Sequence, residues 1–235
     1  MRKIDAVIFD LDDTLHDDTL AYKSAAEEVA REVAAERGID ALALKDAYVA
    51  QAEGFWTKLT PEQLGIKLAT TRAMLWQNAL ACVGIEDEPL AVRSAANYHA
   101  YRRKYLELFP GALDVLRGLK ASGYALGLLT NGFAETHREK IAILQIGELF
   151  DAIFIADEVG MLKPDPLLFA HACMKLASAP ARSAMVGDRY ERDIRGALRA
   201  GLFTVWMNLH GEMLEPGAPL PDVTVTSITE AGAVF

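Results

Sequence analysis

Cysteine is scarce in this sequence. Cys82 and Cys173 are the only two among 235 residues, and both lie in apolar helical patterns, Ala81-Cys82-Val83 and Ala172-Cys173-Met174. Such usage excludes a disulfide-stapled scaffold and reads as two buried thiols in a reducing compartment. Long hydrophobic runs are missing too. No stretch approaches the roughly 18 apolar residues that span a bilayer, so no membrane partner is expected. The early run Ala6-Val7-Ile8-Phe9 is closed by Asp5 and Asp10, too short for the apolar segment of a secretory signal, and a cytoplasmic protein is expected. Positive charge is in deficit: 24 Lys and Arg against 33 Asp and Glu leave a net charge of −9. A nucleic-acid binder needs a basic face to displace counterions, so no nucleic-acid partner is expected. The five histidines are scattered, with no pair at metal-ligand spacing, which argues against zinc. The chain shows no internal repeat or low-complexity segment.

What remains is an ordinary globular mix, 51% hydrophobic and 24% charged, long enough for a core domain with an insertion. Short apolar runs at 4–9, 124–129, 152–156, 183–186 and 203–206 predict strands buried on both faces of a parallel sheet, and 223–225 is a weaker sixth. Helical spacing follows several of them, notably over 133–144 and 166–176, where Asp165-Pro166 is a good helix start. Alternation of this kind predicts a doubly wound, Rossmann-like α/β sheet. Residues 16–106 break the rhythm. They offer only helix candidates, at 19–36, 41–52, 61–82 and 89–108, with Thr60-Pro61-Glu62-Gln63 as a capping box opening the third. The predicted organisation is a core of 1–15 and 107–235, with a helical domain at 16–106 that could move as a lid.

The acidic residues carry the chemistry. In Val7-Ile8-Phe9-Asp10-Leu11-Asp12-Asp13-Thr14, a strand runs into carboxylates two residues apart, which in extended chain point to one side. They converge beyond the carboxyl end of the strand, where open α/β sheets bind ligands. A second strand ends in Met185-Val186-Gly187-Asp188, with Asp193 placed to fold back toward it. Oxygen ligands from two strand ends suit Mg²⁺, which accepts a few carboxylates and keeps water and a phosphate oxygen. Leu129-Thr130-Asn131-Gly132 is a third strand end whose side chains and helix-opening N–H groups could hold phosphate. Lys163, on a loop stiffened by Pro164 and Pro166, could bring an ammonium there. Because the net field repels an anionic substrate, any phosphate site must carry local positive charge of this sort. Each feature alone is also an ordinary turn or solvated lysine.

Taken together and in order, these four stretches resemble the haloacid dehalogenase superfamily, whose pattern is Asp-x-Asp-x-Thr, a strand-ending Thr or Ser, a Lys, and Gly-Asp with a second Asp shortly after. The match spans positions 10 to 193. The resemblance implies Asp10 as nucleophile and Asp12 as the acid that protonates the leaving oxygen and then takes a proton from water. It implies Thr130 and Lys163 on the phosphoryl group, beside the Asn131 that the strand-end turn itself suggests, and Mg²⁺ held by Asp10, the main-chain carbonyl of Asp12, and Asp188, with Asp193 in support. Residues 16–106 look like the family's helical cap of the first type. Thr130-Asn131-Gly132-Phe133, Asp157-Glu158-Val159-Gly160 and Ala200-Gly201-Leu202 are most similar to the branch with pyrimidine 5′-nucleotidases and N-acylneuraminate-9-phosphatases. Dehalogenases of the superfamily typically lack the second aspartate, so Asp12 favours a phosphatase.

The expectation is therefore a Mg²⁺-dependent phosphatase, monomer or homodimer, acting on a small phosphorylated metabolite such as a nucleoside or sugar monophosphate through an aspartyl-phosphate. A phosphomutase of the same superfamily fits the motifs equally. A phospho-acceptor signalling module resembling response-regulator receivers is the alternative from another class; it has no use for a helical lid of about 90 residues or for Asp12. A catalytically dead binding protein would have no need of the complete motif set. Phe55, Trp56, Trp76, Tyr98 and Tyr101 read as mostly core packing, Arg102-Arg103-Lys104 as a solvated helix face, His16 as close enough to line the entrance, and His171 as structural.

Overall fold

The structure, a computed structural model, describes residues 3–235. Its centre is a six-stranded sheet in the order β3-β2-β1-β4-β5-β6, with every neighbouring pair parallel. In chain order, β1 (Ala6–Phe9) precedes four helices, α1 (Asp18–Arg37), α2 (Ala41–Thr57), α3 (Leu68–Cys82) and α4 (Glu88–Lys104). The sheet then resumes with α5 (Ala112–Ala121), β2 (Ala125–Thr130), α6 (Ala134–Leu144), β3 (Ala152–Ile155), α7 (Ala156–Val159), α8 (Pro166–Lys175) and β4 (Ser183–Gly187). A π-helical turn, Tyr190–Ile194, leads into α9 (Arg195–Ala200), and β5 (Phe203–Met207), β6 (Val223–Val225) and α10 (Ile228–Gly232) close the chain. All six strands fall where the apolar runs place them, and the α/β class is the predicted one.

Two compact units emerge: residues up to Asp17 together with Glu107–Phe235, and Asp18–Leu106. In the sheet unit, β1 and β4 are fully buried along their lengths, as central parallel strands covered on both faces must be. The chain leaves β1 toward β2 on one side and β4 on the other, so β1 sits where strand order reverses. That is the position at which open α/β sheets form a crevice at their carboxyl ends. Among the described residues, no helix is long and apolar enough to cross a membrane.

The helical unit has its own core, built on Tyr48, Trp76 and Tyr98 with aliphatic residues from all four helices. Tyr48 stacks on Trp76 with ring centroids 4.0 Å apart, and Tyr98 meets Tyr48 at 4.9 Å, so these rings hold helices together. Three local expectations need correction. The helix expected over 61–82 is interrupted. Pro61–Gln63 forms one 3₁₀ turn, with the Gln63 side chain accepting from the Thr60 N–H at 2.9 Å. Gly65, at φ +81°, then turns the chain before α3 begins at Leu68. Arg102 is not on a solvated face: its guanidinium grips both oxygens of Asp18 at 2.5 and 2.7 Å with both side chains mostly covered, whereas Arg103 and Lys104 are exposed. Cys82 is exposed in the last turn of α3, and only Cys173 is buried; both thiols are free.

Candidate active site

Parallel register brings three strand ends to one level. Phe9 pairs with Leu128 on β2 and with Val186 on β4, and the Asp10 N–H continues the ladder onto the Val186 carbonyl at 2.9 Å. Asp10 therefore stands beside Leu129 and Gly187, with Thr130 and Asp188 one residue beyond. The carboxylates of Asp10, Asp188 and Asp193 converge, with ligand oxygens all within 4.8 Å of one another. Asp193 reaches this cluster from the π-helical turn, where its Oδ2 accepts from the Arg189 N–H at 2.9 Å. The residue that admits it is Gly187: a Cβ there would lie 2.4 Å from Asp193 Oδ2. The glycine expected to make room for a ligand thus makes room first for an aspartate.

Two further groups fix Asp188. Thr14 Oγ1 accepts from its backbone N–H at 3.1 Å and lies 3.4 Å from its Oδ1. The indole N–H of Trp206, level with Gly187 on the neighbouring strand, donates to the Asp188 carbonyl at 2.8 Å. Burial and the adjacent Asp193 and Asp10 charges push the Asp188 carboxyl well above the usual range. Burial likewise raises Asp10 to about 6, against the opposing pull of Lys163 and with the Asp193 charge adding to the rise. Three crowded, desolvated carboxylates repel one another, and a cation between them relieves both costs. The donor set is all oxygen, which suits a hard divalent ion such as Mg²⁺ rather than a soft metal.

Lys163 supplies the local positive charge. Its ammonium is buried, 2.7 Å from Asp10 and 2.6 Å from Asp193, and the two carboxylates raise its pKa despite the burial that opposes this. Asn131 holds the loop that carries it: the amide accepts from the Lys163 N–H at 2.8 Å and donates to the Lys163 carbonyl at 3.0 Å. The Asn131 side chain is thus engaged with Lys163. Thr130 ends β2 and is buried.

Asp12 takes a different course from the other aspartates. Its carboxylate turns to three groups that carry or can carry positive charge. Lys140 Nζ lies 2.6 Å from Oδ1, His16 Nε2 lies 2.9 Å from the same oxygen, and His137 Nε2 lies 3.4 Å from Oδ2. Burial would raise its pKa, but the Lys140 and His137 charges and the imidazole hydrogen bonds outweigh burial and hold it well below the usual carboxylate range. His16 is fully buried, so it does not line an entrance; it braces Asp12 from within the same loop. His137 donates through Nδ1 to the Phe133 carbonyl at 2.9 Å, and its ring packs against Gly132, whose missing Cβ would fall 2.2 Å from Cε1.

Sequence reasoning missed His137, Lys140 and Trp206. The signal for the first two was their spacing of three on the helix that opens just after Thr130-Asn131-Gly132, which puts them on one face.

Comparison with known proteins bears on the family. The family model of haloacid dehalogenase-like hydrolases matches residues 4–201. Glyceraldehyde 3-phosphate phosphatase of Methanopyrus kandleri is 34% identical over 86% of this chain and 83% of its own length. The N-acylneuraminate-9-phosphatase of Mus musculus is 32% identical over 100% and 95%. The solved structure of the hydrolase YfnB from Bacillus subtilis, described as bound to magnesium, superposes with a TM-score of 0.78 at 22% identity, covering 99% of this chain and 98% of that one. The chain belongs to the haloacid dehalogenase-like hydrolase family.

Proposed function

We propose that this protein is a Mg²⁺-dependent phosphatase that removes phosphate from a small phosphorylated metabolite through a phospho-aspartate on Asp10. The observation that carries the reading is the buried pairing of Asp10 with Lys163 at 2.7 Å: a carboxylate nucleophile and a cation for phosphoryl oxygens stand side by side at a strand end.

In the first step an Asp10 oxygen forms a bond to phosphorus as the bond to the leaving oxygen breaks, and Asp12, ionised in the free protein, passes to that oxygen the proton it takes up with the bound substrate. In the second, water forms the new bond to phosphorus, Asp12 takes its proton, and the Asp10–phosphorus bond breaks to release phosphate. A covalent intermediate divides one difficult displacement into two, and a positioned acid–base group speeds both. Lys163, the Thr130 hydroxyl and the backbone N–H groups after it offset charge on the transferring group, where phosphoryl transfer most needs it. Asp10, Asp188, Asp193 and the Asp12 carbonyl would hold Mg²⁺, which when bound supplies further positive charge to the phosphoryl oxygens.

The names of the relatives support a small alkyl phosphate as substrate, and the helical unit at 18–106 is the natural substrate-selecting cap. The test is a panel of p-nitrophenyl phosphate, glyceraldehyde 3-phosphate, phosphoserine, sugar phosphates and nucleotides with Mg²⁺. Turnover abolished by EDTA and by Asp10→Asn is expected; undiminished turnover in Asp10→Asn would contradict the assigned nucleophile.

A further inference from the structure

Lys140 lies outside the four motifs, yet it is among the most buried large side chains of the protein, 2% exposed. Burying an ammonium is expensive unless an opposite charge meets it. Here the acid–base aspartate does so, at 2.6 Å. The placement is built from sequence upward. Gly132 lets the His137 ring pack against the turn that opens α6. The helical spacing of three then carries Lys140 to the same inward face. Asp12 itself sits in a loop whose next residue, Asp13, has φ +55°. An aspartate there has two rotatable bonds, and a general acid works only when its proton points at the reacting oxygen. His16 anchors Oδ1 from within the loop, His137 approaches Oδ2, and Lys140 reaches Oδ1 from a separate helix.

We propose that Lys140 is a positioning residue of the reaction: its buried ammonium ties Asp12 to α6 and fixes the carboxylate in the orientation from which it protonates the leaving oxygen. The inference rests on the acid–base reading of Asp12 and extends it to a residue that none of the motifs contains. Lys140 acts through Asp12, whose Oδ1 its ammonium meets.

The consequence is selective. A leaving group that departs readily as an anion, such as p-nitrophenolate, needs no proton, whereas an alkoxide does. Loss of Lys140 therefore steepens the dependence of kcat/KM, which reports transfer to Asp10, on the leaving group. A merely structural role lowers kcat/KM for both substrates alike.

The experiment compares wild type, Asp12→Asn and Lys140→Met, each with Mg²⁺. The substrates are p-nitrophenyl phosphate and the alkyl phosphate that the wild type turns over best among glyceraldehyde 3-phosphate, phosphoserine and sugar phosphates. Expected is a loss in kcat/KM of about 100-fold on the alkyl phosphate, the low end of general acid–base contributions, against about threefold or less on p-nitrophenyl phosphate. Asp12→Asn should show the same pattern more strongly. Lys140→Gln keeps a polar end in the buried slot; it should show the pattern at smaller size and takes the place of the Met variant should that one not fold. If Asp12→Asn discriminates between the substrates while the Lys140 variants lower both equally or neither, the inference is overturned and the acid–base role of Asp12 stands. If Asp12→Asn does not discriminate, both fall, while the nucleophile remains judged separately by Asp10→Asn.

Discussion

The indole N–H of Trp206 donates to the main-chain carbonyl of Asp188 at 2.8 Å, so a tryptophan on β5 holds the loop that presents an aspartate from β4. Its ring is buried against Tyr190 with centroids 5.5 Å apart, and Tyr190 is tied by its hydroxyl to the Pro219 carbonyl at 2.5 Å. The arrangement lets Asp188 keep its direction while its charge is repelled by Asp10 and Asp193. Trp206→Phe keeps an aromatic ring in the slot and removes the donor together with part of the indole. Groups that orient metal ligands are commonly worth 10- to 100-fold in metal affinity. Calorimetric titration of Mg²⁺ should show binding weakened by about tenfold, beside a loss of thermal stability from the part of the slot left empty. Unchanged affinity would show that the carbonyl needs no such anchor.

Gly187 yields a second, steric prediction. A methyl group there meets the Asp193 side chain at 2.4–2.6 Å on three atoms, closer than atoms can pack, and Asp193 is wholly buried between the Arg189 N–H and Lys163. In Gly187→Ala the aspartate must leave its slot, stranding Lys163 with one carboxylate instead of two. Overpacking of this kind costs about 1–3 kcal/mol. Denaturant unfolding should therefore report a loss of that size, and Mg²⁺-supported turnover should fall by more than the small change in folded fraction accounts for.

The strands were legible because parallel-sheet burial demands nearly unbroken apolar runs, and Ala6–Phe9 and Ser183–Gly187 obey that demand. The acidic residues were legible in part: strand direction fixes where Asp10 and Asp188 emerge, whereas the Asp12 carboxylate, expected to converge with Asp10, turns instead to Lys140, His16 and His137. What the chain hid was contact between residues far apart in sequence. Lys140 reaches Asp12 across 128 positions, and Trp206 reaches Asp188 through strand pairing, neither of which leaves a local pattern. Helix ends failed as well. The periodicity over 61–82 runs on past Gly65, whose positive φ turns the chain and breaks the helix. The solvated reading of Arg102 failed because its partner, Asp18, lies 84 positions away.

Asn131 tests whether the strand-end turn works through side chain or backbone. Its amide closes both hydrogen bonds to the Lys163 main chain, so Asn131→Ala should loosen the lysine loop without removing any backbone N–H of the strand-end turn. The expected outcome is a kcat lowered by about ten- to 100-fold, since small displacements of a positioned group are costly, with KM changed little. A rise in KM at constant kcat would instead assign the amide to direct phosphate binding.

The proton balance of the acidic cluster gives the last prediction. Asp10 is raised by burial to about 6, above its ordinary 3.8, and burial with the neighbouring charges raises Asp188 as well. A carboxyl whose folded pKa is raised holds its proton more tightly in the native state. Its contribution to stability is therefore fully present below the unfolded value and is lost as pH rises through the folded one. For Asp10 that window runs from about 3.8 to about 6. Asp12 has the opposite sign: its carboxyl is held down, so its contribution is present above the ordinary value and fades only in stronger acid. Above about pH 6 the Asp10 carboxylate of the metal-free protein is charged and meets the repulsion of its neighbours, which Mg²⁺ relieves, while below it the metal must displace a proton from Asp10. Each unit of pH below 6 should weaken Mg²⁺ binding by about tenfold for each proton displaced. Melting curves should accordingly show a larger Mg²⁺-induced rise in Tm at pH 7.5 than at pH 5.5, and Asp10→Asn, which has no such proton to lose, should flatten the difference. An equal or larger rise at the lower pH would mean that the ion, if it binds, binds elsewhere than against Asp10.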